Sequence, residues 1–218
     1  TADASAPPAK VLSIFLWSSV LVLAASASFS LGANLLHYFV GAFLGSFGAA
    51  FAALVAVPLY AYHYSLNGSS LADKDARFAL LGYASLAGLL LGSAFSHLYI
   101  YAEPYAFLLP AVAGSTYYYA APAVGSSRVN LFAASLGGAY AALFAVGVLL
   151  GSVSVSYLAF ATFYSLAGFA VLQYIYAHGS EPAHVYQLAY LTGFLYTKAL
   201  GLFLFGSYEP YAAQEVSK

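Results

Sequence analysis

Cysteine and methionine are both missing from this 218-residue chain, and charged side chains nearly so: Lys, Arg, Asp and Glu together make 6% of it. Without cysteine there is no disulfide and no thiolate to hold a metal. A soluble domain carries about 25% charged residues because its surface faces water, so a chain this poor in charge has no material for such a surface. The net charge of −1 and the scattered Lys and Arg exclude a basic stripe for phosphate backbones, and with it nucleic-acid binding. The methionine gap, which includes an initiator, leaves two readings. One is chance together with removal of a segment before Thr1; the other is that some apolar and aromatic residues stand where the gene encodes Met.

What remains is 63% hydrophobic, with no run of Pro, Ser or like charge long enough to separate two domains. A bilayer core about 30 Å thick needs roughly 20 apolar residues as helix, because every backbone polar group must be satisfied within the segment. That ruler predicts an all-α polytopic membrane bundle of seven transmembrane helices: Val11 to Ala33, Tyr38 to Tyr62, Phe78 to Tyr101, Tyr105 to Val124, Asn130 to Gly151, Tyr157 to Ala177 and Tyr186 to Gly206. Residues 1–10 read as a disordered lead, 11–206 as the membrane domain and 207–218 as a soluble tail. Asn34 to His37 read as a tight polar turn, residues 65–77 as the clearest water-facing loop, and Glu103-Pro104 as a helix break. With seven crossings, Lys10, Lys74, Arg77 and Arg128 share one side and only Lys218 takes the other. The N-terminus is therefore expected on the cytoplasmic or matrix side.

Few residues invite chemistry. Gly-x-x-x-Gly-Ser occurs three times, at Gly41/Gly45, Gly88/Gly92 and Gly147/Gly151. Small residues four apart let helix backbones approach, so these are expected to pack helices together or to seat a partner helix. Lys198 lies halfway along the last span, where a charge costs about 2.5–3.5 kcal/mol on insertion scales, so it is a candidate pathway, counter-ion or headgroup position unless it snorkels. No Asp or Glu lies deep in any span, which leaves backbone carbonyls, hydroxyls or another subunit as its expected partners. The five histidines sit at span ends, too dispersed for haem, and His178 with His184 make too few ligands for zinc. No Gly-x-Ser-x-Gly or comparable hydrolase pattern occurs, so neither a cofactor nor an enzymatic activity is expected. Tyr60, Tyr62, Tyr64, Tyr99, Tyr101 and Tyr105 cluster at span ends as an aromatic belt, while Tyr117 falls deeper, as core.

Several strings, in order, resemble the transmembrane Bax-inhibitor-motif family: Arg77-Phe-Ala-Leu-Leu-Gly82, Leu109-Pro110 with Gly114-Ser-Thr116, Asn130-Leu-Phe with Gly137-Gly138, and Gly168-Phe169 before His178-Gly179. The resemblance implies seven membrane helices and a pH-sensitive calcium leak controlled by aspartates in the last two spans. Gln173 stands where the family has Asp in the sixth, and Gln187 and Thr192 offer no carboxylate in the seventh. Amides hydrogen-bond but do not titrate, so the sensor reads as absent. The family's mitochondrial branch points to the mitochondrial inner membrane, with the endoplasmic reticulum or Golgi as the alternative. Two functional expectations follow. The first is a structural or accessory subunit among other membrane proteins of a larger assembly; the second is a calcium or proton channel or exchanger, with Gln173, Gln187, Thr192 and Lys198 as candidate pathway or sensor positions.

Overall fold

The computed structural model describes residues 6–67, 73–125 and 127–208. The expected lead as far as Ser5, the middle of the expected loop (68–72) and the expected tail from Glu209 lie outside the described residues. The architecture is all-α: among the described residues the only β pairing is a single bridge between Tyr99 and Ser207.

Helix α1 (Pro8–Leu31) opens on Pro8, whose fixed φ suits the first helical position and whose missing N–H would have no partner there. The last residues expected in the lead are thus already helical. Its buried residues Val11, Ile14, Phe15, Ser18, Leu21, Val22 and Ala25 recur at helical spacing and make one face. The chain then runs on through a π-helical turn (Gly32–Leu36), α2 (His37–Phe51), a second π turn (Ala52–Ala56) and α3 (Val57–Asn67). The tight turn expected at Asn34 does not form, because the Asn34 amide donates to Ser30 O at 2.8 Å and stays within the helix. The break falls instead at Gly45, whose φ of 65° and ψ of 170° only glycine adopts without strain.

The other helices are α4 (Asp73–Ala94), α5 (Leu108–Val124), α6 (Arg128–Leu149), α7 (Val155–Ala177) and α8 (Ala183–Phe205). Helix α4 stops well short of the expected Tyr101. A non-helical link replaces its last turns, since Pro104 disfavours helix at Glu103 and Tyr99 exchanges both backbone hydrogen bonds with Ser207 at 2.8 and 2.9 Å.

Directions follow from named contacts. A Cβ on Gly88 or Gly92 would overlap the backbone of Ala25 or Phe29, so α1 and α4 run parallel at close approach, and Gly32 meets Leu89 likewise. Tyr60 and Tyr64 flank Tyr83, while Val57 and Pro58 lie beside Ala87, so α3 runs against α4. The chain has therefore reversed between α1 and α3. Helix α5 descends along α1, with Ser19 donating to Phe107 O at 2.7 Å and the Tyr117 hydroxyl reaching Ala6 O at 3.3 Å. Tyr157 donates to Leu143 O at 2.7 Å across the α6–α7 pair. Tyr174 packs on Tyr186 and Phe160 against Gly201, so α7 and α8 are antiparallel. Tyr117, Tyr157, Tyr164, Tyr186 and Tyr190 are among the largest fully buried side chains, each tyrosine but Tyr190 with a hydrogen-bonded hydroxyl. Among the described residues five helices are long and apolar enough to cross a membrane, counting the run Pro8–Tyr64 as one.

Candidate functional site

The α4–α5 link carries the chemistry. Because Pro104 holds Glu103 out of a helix, its carboxylate reaches sideways between α7 and α8. Oε2 accepts from Lys198 Nζ and Oε1 accepts from the Tyr164 hydroxyl. The Lys198 ammonium also stands 4.7 Å from the ring centre of Phe29 and 5.9 Å from that of Phe160, within cation–π range. The two charged side chains are 12% and 22% exposed for Lys198 and Glu103, so the pair is mostly desolvated. The link is pinned on both sides: Ser156 donates to Ala102 O at 3.3 Å, and the Tyr99–Ser207 bridge ties it to the end of α8.

This pair forms part of the wall of a cavity of about 510 Å³. Its remaining walls include Phe29 and Ser30 at the end of α1, Asn34 in the π turn, His37 and Tyr38 opening α2, Ser96 and Tyr99 of the link, and Leu202 of α8. His37 Nδ1 is buried without a hydrogen-bond partner. The lining is predominantly polar, in contrast to a second cavity of about 460 Å³ between α3 and α8, whose wall of Leu54, Pro58, Leu59, Val185, Leu188 and Thr192 is largely apolar.

The residues singled out in the sequence do not converge. Lys198 alone belongs to the polar cavity. Thr192 lines the apolar one. Gln187 is completely buried, and neither end of its amide has a partner, so no hydrogen bond joins it to Gln173 on the neighbouring helix. The glycines divide as well. Gly88 and Gly92 meet the α1 backbone, and a Cβ on Gly147 would come within 2.7 Å of the ring of Tyr157. Gly41 and Gly45 face open space, with nothing among the described residues against the position of a Cβ; Gly151, with φ of 63°, lies past the end of α6. Glu103 is the residue that sequence reasoning missed. The available signal was the proline after it, which takes a carboxylate out of a helix and lets it turn inward.

At the opposite end of the bundle, Lys10 Nζ donates to Gly179 O at 2.7 Å and Glu181 O at 3.0 Å and lies over the Tyr186 ring. Arg128 lies over Tyr176 and Phe132, and Arg77 over Trp17. Among the described residues no three His, Asp or Glu side chains gather as a metal site.

A family profile described as "Interactor of ZYG-11" matches residues 1–208. Neither a curated protein nor a solved structure matches the chain. The match overturns the resemblance to the Bax-inhibitor-motif family. The strings that carried it are short and built of small and apolar residues, which any tightly packed apolar helix uses. The reading of Gln173, Gln187 and Thr192 as sensor positions of a calcium leak draws on that resemblance, and without it rests on their polarity alone. The chain belongs to the family of interactors of ZYG-11.

Proposed function

We propose that the chain is a non-catalytic membrane protein of seven crossings, N-terminus on the cytoplasmic or matrix side, that serves as the membrane-embedded binding partner of another protein, with ZYG-11 the candidate its family names. One observation carries the membrane part: the outward faces of the helices are predominantly apolar, with Phe47 86%, Leu149 84% and Phe203 78% exposed. Monomeric soluble proteins rarely expose contiguous apolar patches beyond a few hundred Å².

The count of seven rests on two steps beyond the five long apolar helices. The run Pro8–Tyr64 supplies two crossings because α3 runs against α1, and α5, with 17 residues, supplies another. Tyr60, Tyr62, Tyr64, Tyr99, Tyr101 and Tyr105 are all exposed near segment ends, which suits an interfacial belt. Lys10, Arg77 and Arg128 gather at one end, which supports the orientation. With the family reassigned, the mitochondrial inner membrane loses the branch that pointed to it, and the reading keeps the membrane and the orientation only.

The missing cysteines make the test direct. Single cysteines at Ser127 and Gly179 are expected to react with a membrane-impermeant maleimide from one side, and cysteines at Tyr101 and Gly151 from the other. Labelling of all four from one side would refute the topology. Reciprocal precipitation of the full-length chain with ZYG-11 from detergent extracts tests the partner, and absence of enrichment over an unrelated seven-span protein would refute it.

A further inference from the structure

The polar cavity holds a Glu–Lys pair in a chain of which charged side chains make only 6%. We infer that it binds a small zwitterion carrying a primary ammonium and an anionic group, which inserts between Glu103 and Lys198. The site stands on the cavity's own residues. Only the choice between two sources of the ligand, a lipid headgroup or a free metabolite, touches the membrane reading.

The chemistry follows from the pairing. Glu103 and Lys198 both line the cavity, and each is the other's charge partner there. A ligand with one charge that displaced either residue would leave the other buried and unpaired, which is costly. A zwitterion leaves neither unpaired: its ammonium takes the place of Lys198 at Glu103 Oε2, and its anion takes the place of Glu103 at Lys198 Nζ. Glu103 already accepts a hydrogen bond from a primary ammonium, which favours a primary amine over a quaternary one. Tyr164 continues to hold Oε1, and Phe29 continues to shield the Lys198 ammonium, so both charged groups keep their orientation as the ligand enters. His37 Nδ1, buried and without a partner, adds a further polar contact at the same wall. About 510 Å³ suits a ligand of headgroup size, within the range of ordinary small-molecule sites.

The test uses the full chain, purified and delipidated in detergent, with unfolding followed by temperature. Phosphoethanolamine is the soluble probe and phosphatidylethanolamine in mixed micelles the lipid one. Stabilisation by phosphoethanolamine supports a free zwitterion, and stabilisation by the lipid alone supports a headgroup. In either case the Glu103→Gln/Lys198→Met double variant, which removes both charges together, is expected to bind at least tenfold more weakly. Should that variant not fold, Ser96→Phe fills the cavity from the link without touching the pair and is expected to give the same loss. The inference is overturned if neither probe stabilises the chain. It is overturned equally if inorganic phosphate or ethanolamine alone stabilises it as much, or if a folded variant binds as wild type does.

Discussion

The Tyr196 hydroxyl of α8 donates to the carbonyl of Leu54 at 2.7 Å, four residues ahead of Pro58. Proline has no N–H to offer the carbonyl four residues back, so a helix that contains one needs a donor from elsewhere. Here another helix supplies it, beside a π turn that widens the backbone. Tyr196→Phe is expected to lower stability by about 0.5–1.5 kcal/mol, the scale of hydrogen bonds between helices in lipid. Adding Pro58→Ala is expected to recover most of it in unfolding measurements, since alanine restores the N–H.

Glu103 and Lys198 are expected to be strongly coupled. Glu103→Gln or Lys198→Met alone strands one mostly buried charge and is expected to cost about 2–4 kcal/mol, while the double variant costs less than the sum. A double-mutant cycle of unfolding free energies reads the coupling, and additive losses would show the pair to be energetically idle.

Gly92→Val is expected to push α4 off α1, because the added carbons meet the Phe29 backbone, which has no rotamer to yield. The loss is expected at about 3 kcal/mol or more, at the upper end of overpacking. Gly41→Val, with open space around it, is expected to leave packing intact and to change the thermal midpoint little. Equal losses at the two sites would contradict the parallel α1–α4 contact.

Lys10→Met removes two charge-assisted hydrogen bonds that fasten α1 to the α7–α8 link. Amide exchange at 178–186 is expected to quicken about tenfold or more, since such bonds contribute about 1.5–3 kcal/mol each. Unchanged exchange there would mean that the link is held by the Tyr174–Tyr186 packing alone.

Much of the helical layout was legible because the apolar segments are long and the breaks between them are chemically blunt. Lys198 announced itself as a charge inside such a segment. Its partner did not, for Glu103 stands 95 residues away beside a proline, and a residue that ends a helix in sequence reads as one that leaves the bundle. The three Gly-x-x-x-Gly-Ser strings look alike on the page and differ in the fold. Spacing reports that a small-residue stripe exists, whereas whether another backbone faces it depends on contacts such as Gly88 on Ala25, which local periodicity does not encode. Asn34 misled for a related reason: its amide has a helical carbonyl within reach at Ser30, so a polar residue served the helix it was expected to end. The family strings failed because short apolar motifs carry little information in a chain that is 63% hydrophobic.

The reversal between α1 and α3 bears on how such a chain is made. Between Lys10 and Asp73 there is not one Asp, Glu, Lys or Arg, so nothing in that stretch tells a translocating ribosome–membrane machinery where one segment stops and the next begins. Under the membrane reading, α1 to α3 therefore enter as a single hairpin with basic residues only at its two ends, Lys10 before it and Lys74 and Arg77 behind it. A basic residue placed near Gly45 would compete with both of those ends for the sidedness of the hairpin.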